Sequence, residues 1–139
     1  MPVLVCVFIL IGNPVSLKGQ SNDKTVKYIE VKGAKKLIYD KKAAAQRLLG
    51  GVNCVHENVV MNCDSAWLFD NNILEAYGHI TIQQGDSLFI RGDKLKYDGN
   101  TKIALMEGNV TCIEKDMTLT TNNLSYDVNT STASYFSGG

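Results

Sequence analysis

A short repeated unit constrains the fold of this chain more than any other feature. Dipeptides of an aromatic residue followed by aspartate end at Asp40, Asp70, Asp98 and Asp127, at nearly equal spacing. A polar turn follows each dipeptide, and the run after it ends in glycine. Because a unit of about 29 residues cannot bury an apolar face alone, about four such units must stack on one another.

Apolar and polar residues alternate within each unit, as Ile80 and Ile82 do with Thr81 and Gln83. This period of two is typical of a strand with one buried face and predicts an all-β fold. Turn-forming residues separate the runs, and both prolines lie near the N-terminus, which suits a continuous sheet. Aligning the units also places four large side chains inward: Trp67, Phe69, Ile103 and Leu105.

Two stretches allow more than one interpretation. The alanine-rich segment from Asp40 to Gly50 has the propensity of a helical turn, but its alignment with the other units favours a turn followed by a strand. The tripeptide Arg91-Gly92-Asp93 aligns with residues 62–64 and 120–122, so we interpret it as the end of a strand and not as an adhesion motif. Asp98 aligns as a turn residue.

The N-terminal residues are typical of an export signal. The apolar run from Val3 to Ile11 is too short to cross a bilayer as a helix, which needs about 20 residues. We predict a signal peptide over residues 1–21 and a domain over residues 22–139, which could be a fragment of a longer chain. A buried N-terminal strand is the alternative. No lipid anchor and no membrane span in the mature chain are expected.

Charge is unevenly distributed although the chain is neutral overall. Lys24 to Arg47 contains eight basic and two acidic residues, whereas the remainder from Leu48 contains five basic and eleven acidic residues. The basic segment could contact phosphates, but an edge strand protected by lysines is the favoured interpretation. The neutral total argues against a nucleic-acid binder.

Residues suited to catalysis or metal binding are sparse. Cys54, Cys63 and Cys112 form an odd set without zinc-type spacing, and we predict that they are small core residues. His56 and His79 occupy unrelated places in their units, which disfavours a metal pair or a base beside a nucleophile. We therefore expect no enzyme activity, no metal and no cofactor.

The spaced motifs of the last two units resemble a known family. Gly108-Asn109-Val110, Leu95-Lys96-Tyr97-Asp98 and Leu124-Ser125-Tyr126-Asp127 together resemble the pattern of the OstA-like family of lipopolysaccharide-transport proteins. The resemblance covers about Thr25 to Gly139, and the first unit departs from it by lacking the Gly-Asn-Val opening. It implies an antiparallel, slightly twisted, open β-jellyroll in the periplasm whose interior holds acyl chains of lipopolysaccharide.

The implied function is that of a carrier or bridge towards the outer membrane, with lipopolysaccharide and other jellyroll domains, added end to end, as partners. The alternative is a closed β-solenoid, an adhesion or structural scaffold filled by its own side chains. For the carrier, the expected lipid-binding groove consists of Val59, Met61, Ile80, Ile82, Leu88, Ile90, Leu95, Tyr97, Ile103, Leu105, Val110, Cys112, Met117, Leu119, Leu124 and Tyr126.

Overall fold

The structure is a computed structural model that describes residues 26–136, and every regular element in that range is a β-strand. The predicted signal peptide, residues 1–21, lies outside the described residues. The strands are β1 (Glu30–Gly33), β2 (Lys36–Asp40), β3 (Ala45–His56), β4 (Val59–Phe69), β5 (Ile73–Gln84), β6 (Leu88–Asp98), β7 (Ile103–Glu114), β8 (Met117–Asp127) and β9 (Thr132–Phe136).

The strands form one antiparallel meander that does not close on itself. Each strand from β3 to β8 pairs with the next strand along the chain, while β1 and β2 pair with opposite ends of β3. The predicted all-β, antiparallel, open fold is confirmed. Each unit, however, contributes two long strands of 11 or 12 residues and not four short ones.

A line of β-bulges crosses the middle of the long strands. Pairs of consecutive residues with positive φ occupy it at Gly50–Gly51, Gly78–His79 and Gly108–Asn109, and the pairing register shifts at each of them. A bulge inserts an extra residue and bends the strand. The repeated glycines therefore mark bends within strands, and we call this line the spine.

Aspartates on neighbouring strands bind two side chains of the spine. The Nδ1 atom of His79 lies 2.7 Å from Oδ2 of Asp64, and one unit later the amide of Asn109 donates a 2.8 Å hydrogen bond to Asp93. A Cβ on Gly78 would lie 2.5 Å from an Asp64 carboxylate oxygen, so a side chain there would displace Asp64 and would also be strained by the positive φ. Arg91-Gly92-Asp93 thus lies at the bend in the middle of β6, which corrects its predicted position at a strand end.

The spine folds the sheet into two layers that share one core. Layer one contains residues 52–56, 59–63, 80–84, 88–92, 110–114 and 117–121, and layer two contains residues 45–49, 65–69, 73–77, 94–98, 103–107 and 123–127. Opposite the spine, the turns of the two layers border an opening that we call the mouth. We call the side carrying β1 and β2 the first end and the side carrying β9 the last end.

Aspartates at the ends of strands stabilise turns, as predicted for Asp98. Its Oδ1 accepts hydrogen bonds from the backbone N–H groups of Asn100 and Thr101, and Asp40 and Asp127 make the same pair of contacts in their own turns. The segment after Asp40 is a turn followed by β3, so the favoured strand interpretation is confirmed there.

The aromatic-Asp dipeptide that ends at Asp70 lies one residue further along, relative to the end of its strand, than the other three dipeptides do. The equivalent strand ends are Asp40, Phe69, Asp98 and Asp127, which are evenly spaced along the chain. The turn after β4 has three residues where the turn after β6 has four, so Asp70 falls inside the turn.

This slip corrects the predicted inward positions in β4. A shift of one residue moves every side chain of a strand to the other face. Ala66 and Leu68 therefore pack in the core, whereas Trp67 and Phe69 stack on the outer face, with the Arg47 guanidinium 5.2 Å from the Trp67 ring centre.

The predicted inward positions in the first half of β7 are also wrong. Ala104 pairs with buried Tyr97 and is buried with Met106, so the alternate residues Ile103 and Leu105 lie on the outer face, where Leu105 is 46% exposed. The sequence Ile-Ala-Leu-Met is apolar on both faces, and period two could not choose between them. The small Ala104 matches the bulk of Tyr97 across the pair.

Candidate functional site

The interior between the layers is the candidate functional site. Twelve of the sixteen predicted groove residues are buried in it: Val59, Met61, Ile80, Ile82, Leu88, Ile90, Leu95, Tyr97, Val110, Cys112, Leu124 and Tyr126. The repeat alignment missed Leu48, Leu74 and Met106, which are also buried. In their halves of the strands, the sequence does not show which alternate residues face inward, and only the pairing register does. These side chains fill the interior in this structure.

The cysteines belong to this core, as predicted. Cys54, Cys63 and Cys112 are buried and unbridged. Burial raises the pKa of the Cys54 thiol to about 12, to which the neighbouring Cys63 adds, and raises that of Cys63 to about 11, to which the charge of Asp64 adds. Such thiols stay protonated near neutral pH and behave as small apolar side chains.

A polar row lines the mouth at the edge of layer one. It consists of His56, Gln84 and Glu114, the last residues of β3, β5 and β7, which occupy equivalent places in successive units. Sequence reasoning missed this row because its three members differ in chemistry. Their shared position, two residues after the last apolar inward residue of each strand, was the available signal.

At the first end, His56 joins the two layers. Its Nε2 atom lies 3.0 Å from the carbonyl oxygen of Lys27, which can only accept, so Nε2 carries the proton. In the neutral ring Nδ1 then accepts a 2.7 Å hydrogen bond from the hydroxyl of Tyr97 in layer two. Both side chains are at most 1% exposed, and burial raises the pKa of Tyr97, so its hydroxyl stays a donor.

Asn72 holds the same N-terminal segment from the other side. Its Oδ1 accepts a 2.9 Å hydrogen bond from the N–H of Ile29, and its Nδ2 donates a 2.8 Å bond to the carbonyl of Lys27. Asn72 is 3% exposed and has a φ of 70°, a conformation that asparagine tolerates better than most residues. The Lys27 carbonyl therefore receives one donor from each layer.

An ion pair crosses the mouth beside these contacts. The ammonium of Lys102 in a turn of layer two lies 2.9 Å from a carboxylate oxygen of Glu57 in a turn of layer one. Hydrogen bonding to Lys102 lowers the pKa of Glu57, against the opposing effect of burial.

The last end presents apolar inward residues to solvent. Met117 and Leu119 have the inward phase in β8, but β9 pairs only with residues 123–127, and within residues 26–136 no second strand pairs with residues 117–121. Met117 is 75% exposed and Leu119 is half-buried against the core. Of the predicted groove residues, Met117 is thus an exposed rim residue and not a buried one.

Residues 26–136 lack two further kinds of feature. They contain no group of three or more His, Cys, Asp or Glu side chains able to hold a metal ion. Across the same range, the chain has no helix with the length and apolarity needed to cross a membrane.

The fold is an open antiparallel β-jellyroll with an uncharged interior. Residues 24–139 match the OstA-like protein family, so the chain belongs to that family. Among solved structures it is similar to LptH of Pseudomonas aeruginosa, described as the LptA-homologous periplasmic component of the lipopolysaccharide transport device. That match has a TM-score of 0.70 and 16% identity, and covers 77% of this chain and 80% of LptH. No curated protein matches the sequence.

Proposed function

We propose that this protein is a non-enzymatic periplasmic carrier that binds the acyl chains of lipopolysaccharide between its two layers on the way to the outer membrane. Family membership and the structural likeness to a periplasmic transport component support the proposal. The single observation that carries it is the pair of exposed Met117 and half-buried Leu119, because these residues continue the buried inward set towards solvent.

Hydrocarbon burial supplies the driving force. Each methylene group removed from water contributes about 0.8 kcal/mol, so one acyl chain gains several kcal/mol even after its ordering costs. The inward faces of β5 to β8 offer isoleucine, leucine, valine and tyrosine side chains. Such a surface recognises an alkyl chain by its shape and apolarity and does not need hydrogen bonds.

The partners follow from the two unpaired edges. Among residues 26–136, β2 at the first end pairs only with β3 and is flanked by lysines, whereas the turn before β8 at the last end carries Glu114 and Asp116 on either side of Lys115. An edge strand can accept another strand by β-augmentation. We propose that other jellyroll domains add end to end at these edges, with opposite charges setting the polarity.

Photo-crosslinking to lipopolysaccharide tests the carrier function. A photoreactive residue replaces Met117, and Leu119→Asp is compared with Thr120→Asp, its exposed neighbour on the outer face of β8. Leu119→Asp is expected to reduce crosslinking at least tenfold, since an aspartate in contact with an alkyl chain is costly. Thr120→Asp and the surface change Lys96→Asp should retain it.

Equal crosslinking in all three variants would refute the proposal. Ile90→Asp provides a further inward position, interpreted only if circular dichroism shows a folded sheet, because Ile90 is fully buried. Native mass spectrometry of protein isolated from bacterial envelopes gives an independent measurement, since a carrier should retain lipid.

A filled scaffold is the second candidate, and one observation favours it. The largest inward side chains at the first end, including Leu48 and Tyr97, are 0% exposed. A scaffold predicts no retained lipid in native mass spectrometry and no effect of Leu119→Asp on crosslinking.

A further inference from the structure

The N-terminal segment Lys27–Ile29 is attached differently from the rest of the sheet. It precedes β1 and is held by three hydrogen bonds to side chains, two from Asn72 and one from His56. Its only buried side chain is Ile29, while Val26 and Tyr28 are 49% and 66% exposed. β1 itself is four residues long, and its pairing register breaks after Val31.

This segment lies across the mouth at the first end. His56 belongs to layer one and Asn72 to a turn of layer two, and both donate to the carbonyl of Lys27. The layers cannot separate here without breaking at least one of these bonds. The interior beneath the segment is filled, so an acyl chain can occupy it only if the layers move apart or Ile29 leaves the core.

We propose that the segment Lys27–Ile29 is a latch that closes the first end of the interior and must release before an acyl chain can occupy that end. The inference rests on the proposed function for its ligand, and on geometry alone for the release. Few buried contacts and side-chain anchors give such a segment a lower opening free energy than the long ladder of β3 to β8.

Hydrogen exchange in the full chain tests the release without any lipid. The Ile29 amide, which donates to Asn72, should exchange at least 100-fold faster than the Ile82 amide in the centre of the sheet, through local opening. Identical rates with identical denaturant dependence at both amides would show that the segment opens only when the whole sheet unfolds, which would overturn the latch.

Asn72→Gly isolates the anchor, because glycine tolerates the positive φ of this position and lacks the side chain. Loss of two hydrogen bonds is expected to speed exchange at Ile29 on the order of tenfold and to leave Ile82 unchanged. Asn129→Gly is the matched control, since Asn129 bonds the carbonyl of Thr101 in a turn at the last end. Equal effects of both variants at Ile29 would also count against the latch.

A reversible disulfide tests whether the latch must release before lipid binds at the first end. Val31 is the register partner of Cys54, so Val31→Cys can form a disulfide that fixes β1 on β3. Purified lipopolysaccharide is offered to chains that carry a photoreactive residue at Leu37, which has the inward phase at the first end, or at Leu119 at the last end. The variant Val31→Cys with Cys54→Ala cannot lock and serves as the control.

Oxidation should reduce crosslinking at Leu37 at least tenfold, leave crosslinking at Leu119 intact, and be reversed by reduction. Unchanged crosslinking at Leu37 in the locked chain would overturn the latch and leave the carrier function standing. If neither position crosslinks in any chain, the carrier function fails, and the exchange rates at Ile29 and Ile82 decide the latch.

Discussion

The two ends of this molecule are built from the same repeat but differ at the edge of layer one. At the first end, His56, Tyr97 and Asn72 make buried hydrogen bonds and Ile29 is buried there, although Leu37 at the edge of layer two is 51% exposed. At the last end, Met117 and Leu119 carry the same inward phase but are exposed or half-buried. The difference teaches that the repeat determines the path of the strands, whereas the exposure of an inward residue depends on whether a neighbouring strand covers it.

The polar row at the mouth shows a second difference between the ends. His56 reaches Tyr97, and Glu114, its equivalent at the last end, lies beside Tyr126, which takes the place of Tyr97 in the next unit. Burial raises the pKa of Tyr126, and the Glu114 charge adds to this effect. One position in the unit thus carries an imidazole that accepts from a tyrosine at one end and a carboxyl group beside a tyrosine at the other.

Truncating matched leucines should give the largest contrast between the ends. Leu48→Ala is expected to cost about 3 to 5 kcal/mol of unfolding free energy, because it leaves a cavity in a filled core. Leu119→Ala should cost less than about 1.5 kcal/mol, since its side chain already contacts solvent. Urea denaturation measures both, and equal losses would mean that the last end is as closed as the first.

Removing one hydroxyl tests the buried contact between the layers. Tyr97→Phe leaves Nδ1 of buried His56 without a donor, which should cost about 1 to 3 kcal/mol. Tyr126→Phe should cost less, because Ser131 and Glu114, the side chains beside its hydroxyl, are not buried and can bond to water instead. The comparison is made by denaturant unfolding, and a larger loss in Tyr126→Phe would contradict the assignment of the ends.

Acid should loosen the first end through Glu57. Its folded-state pKa is lowered, so its contribution to stability is present above the unfolded pKa and is lost as pH falls through the folded pKa. Because the pair with Lys102 is partly exposed, the contribution is at most about 1 kcal/mol. Stability measured from pH 7 to pH 3 should fall less in Glu57→Gln than in the unmodified chain, and parallel curves would refute this role.

The smallest expected effect concerns the contact between His79 and Asp64 in the spine. Hydrogen bonding to Asp64 raises the pKa of His79 above 6.5, so any stabilisation is present below the unfolded pKa and is lost as pH rises through the folded pKa. An NMR titration of Asp64→Asn should show the His79 pKa moving down towards 6.5. Asp93→Asn, one unit along, should shift it much less.

Much of the fold could be predicted from the sequence, because period-two alternation and a short repeat are local signals. The phase of Trp67 and Phe69 was wrong because one turn is a residue shorter, and the unequal spacings on either side of Asp70 were its trace. The phase of Ile103 and Leu105 was wrong because both faces of that strand half are apolar. Only pairing with Tyr97 resolves it.

The contacts across the mouth could not be predicted in the same way. His56 and Tyr97 are 41 residues apart, and Asn72 and Lys27 are 45 apart, so no local pattern connects them. They meet because the sheet folds along the spine. The lipid-binding role of the groove residues stays a prediction.

The spine constrains how the two layers could move and how further units could be added. Since every long strand passes through a bend and contributes to both layers, the layers cannot slide past each other, and the angle at the bends sets their separation together with the contacts across the mouth. Further units would extend the passage at constant calibre. A change of angle at one bend would also change the angle at the neighbouring bends, because backbone hydrogen bonds connect the paired strands.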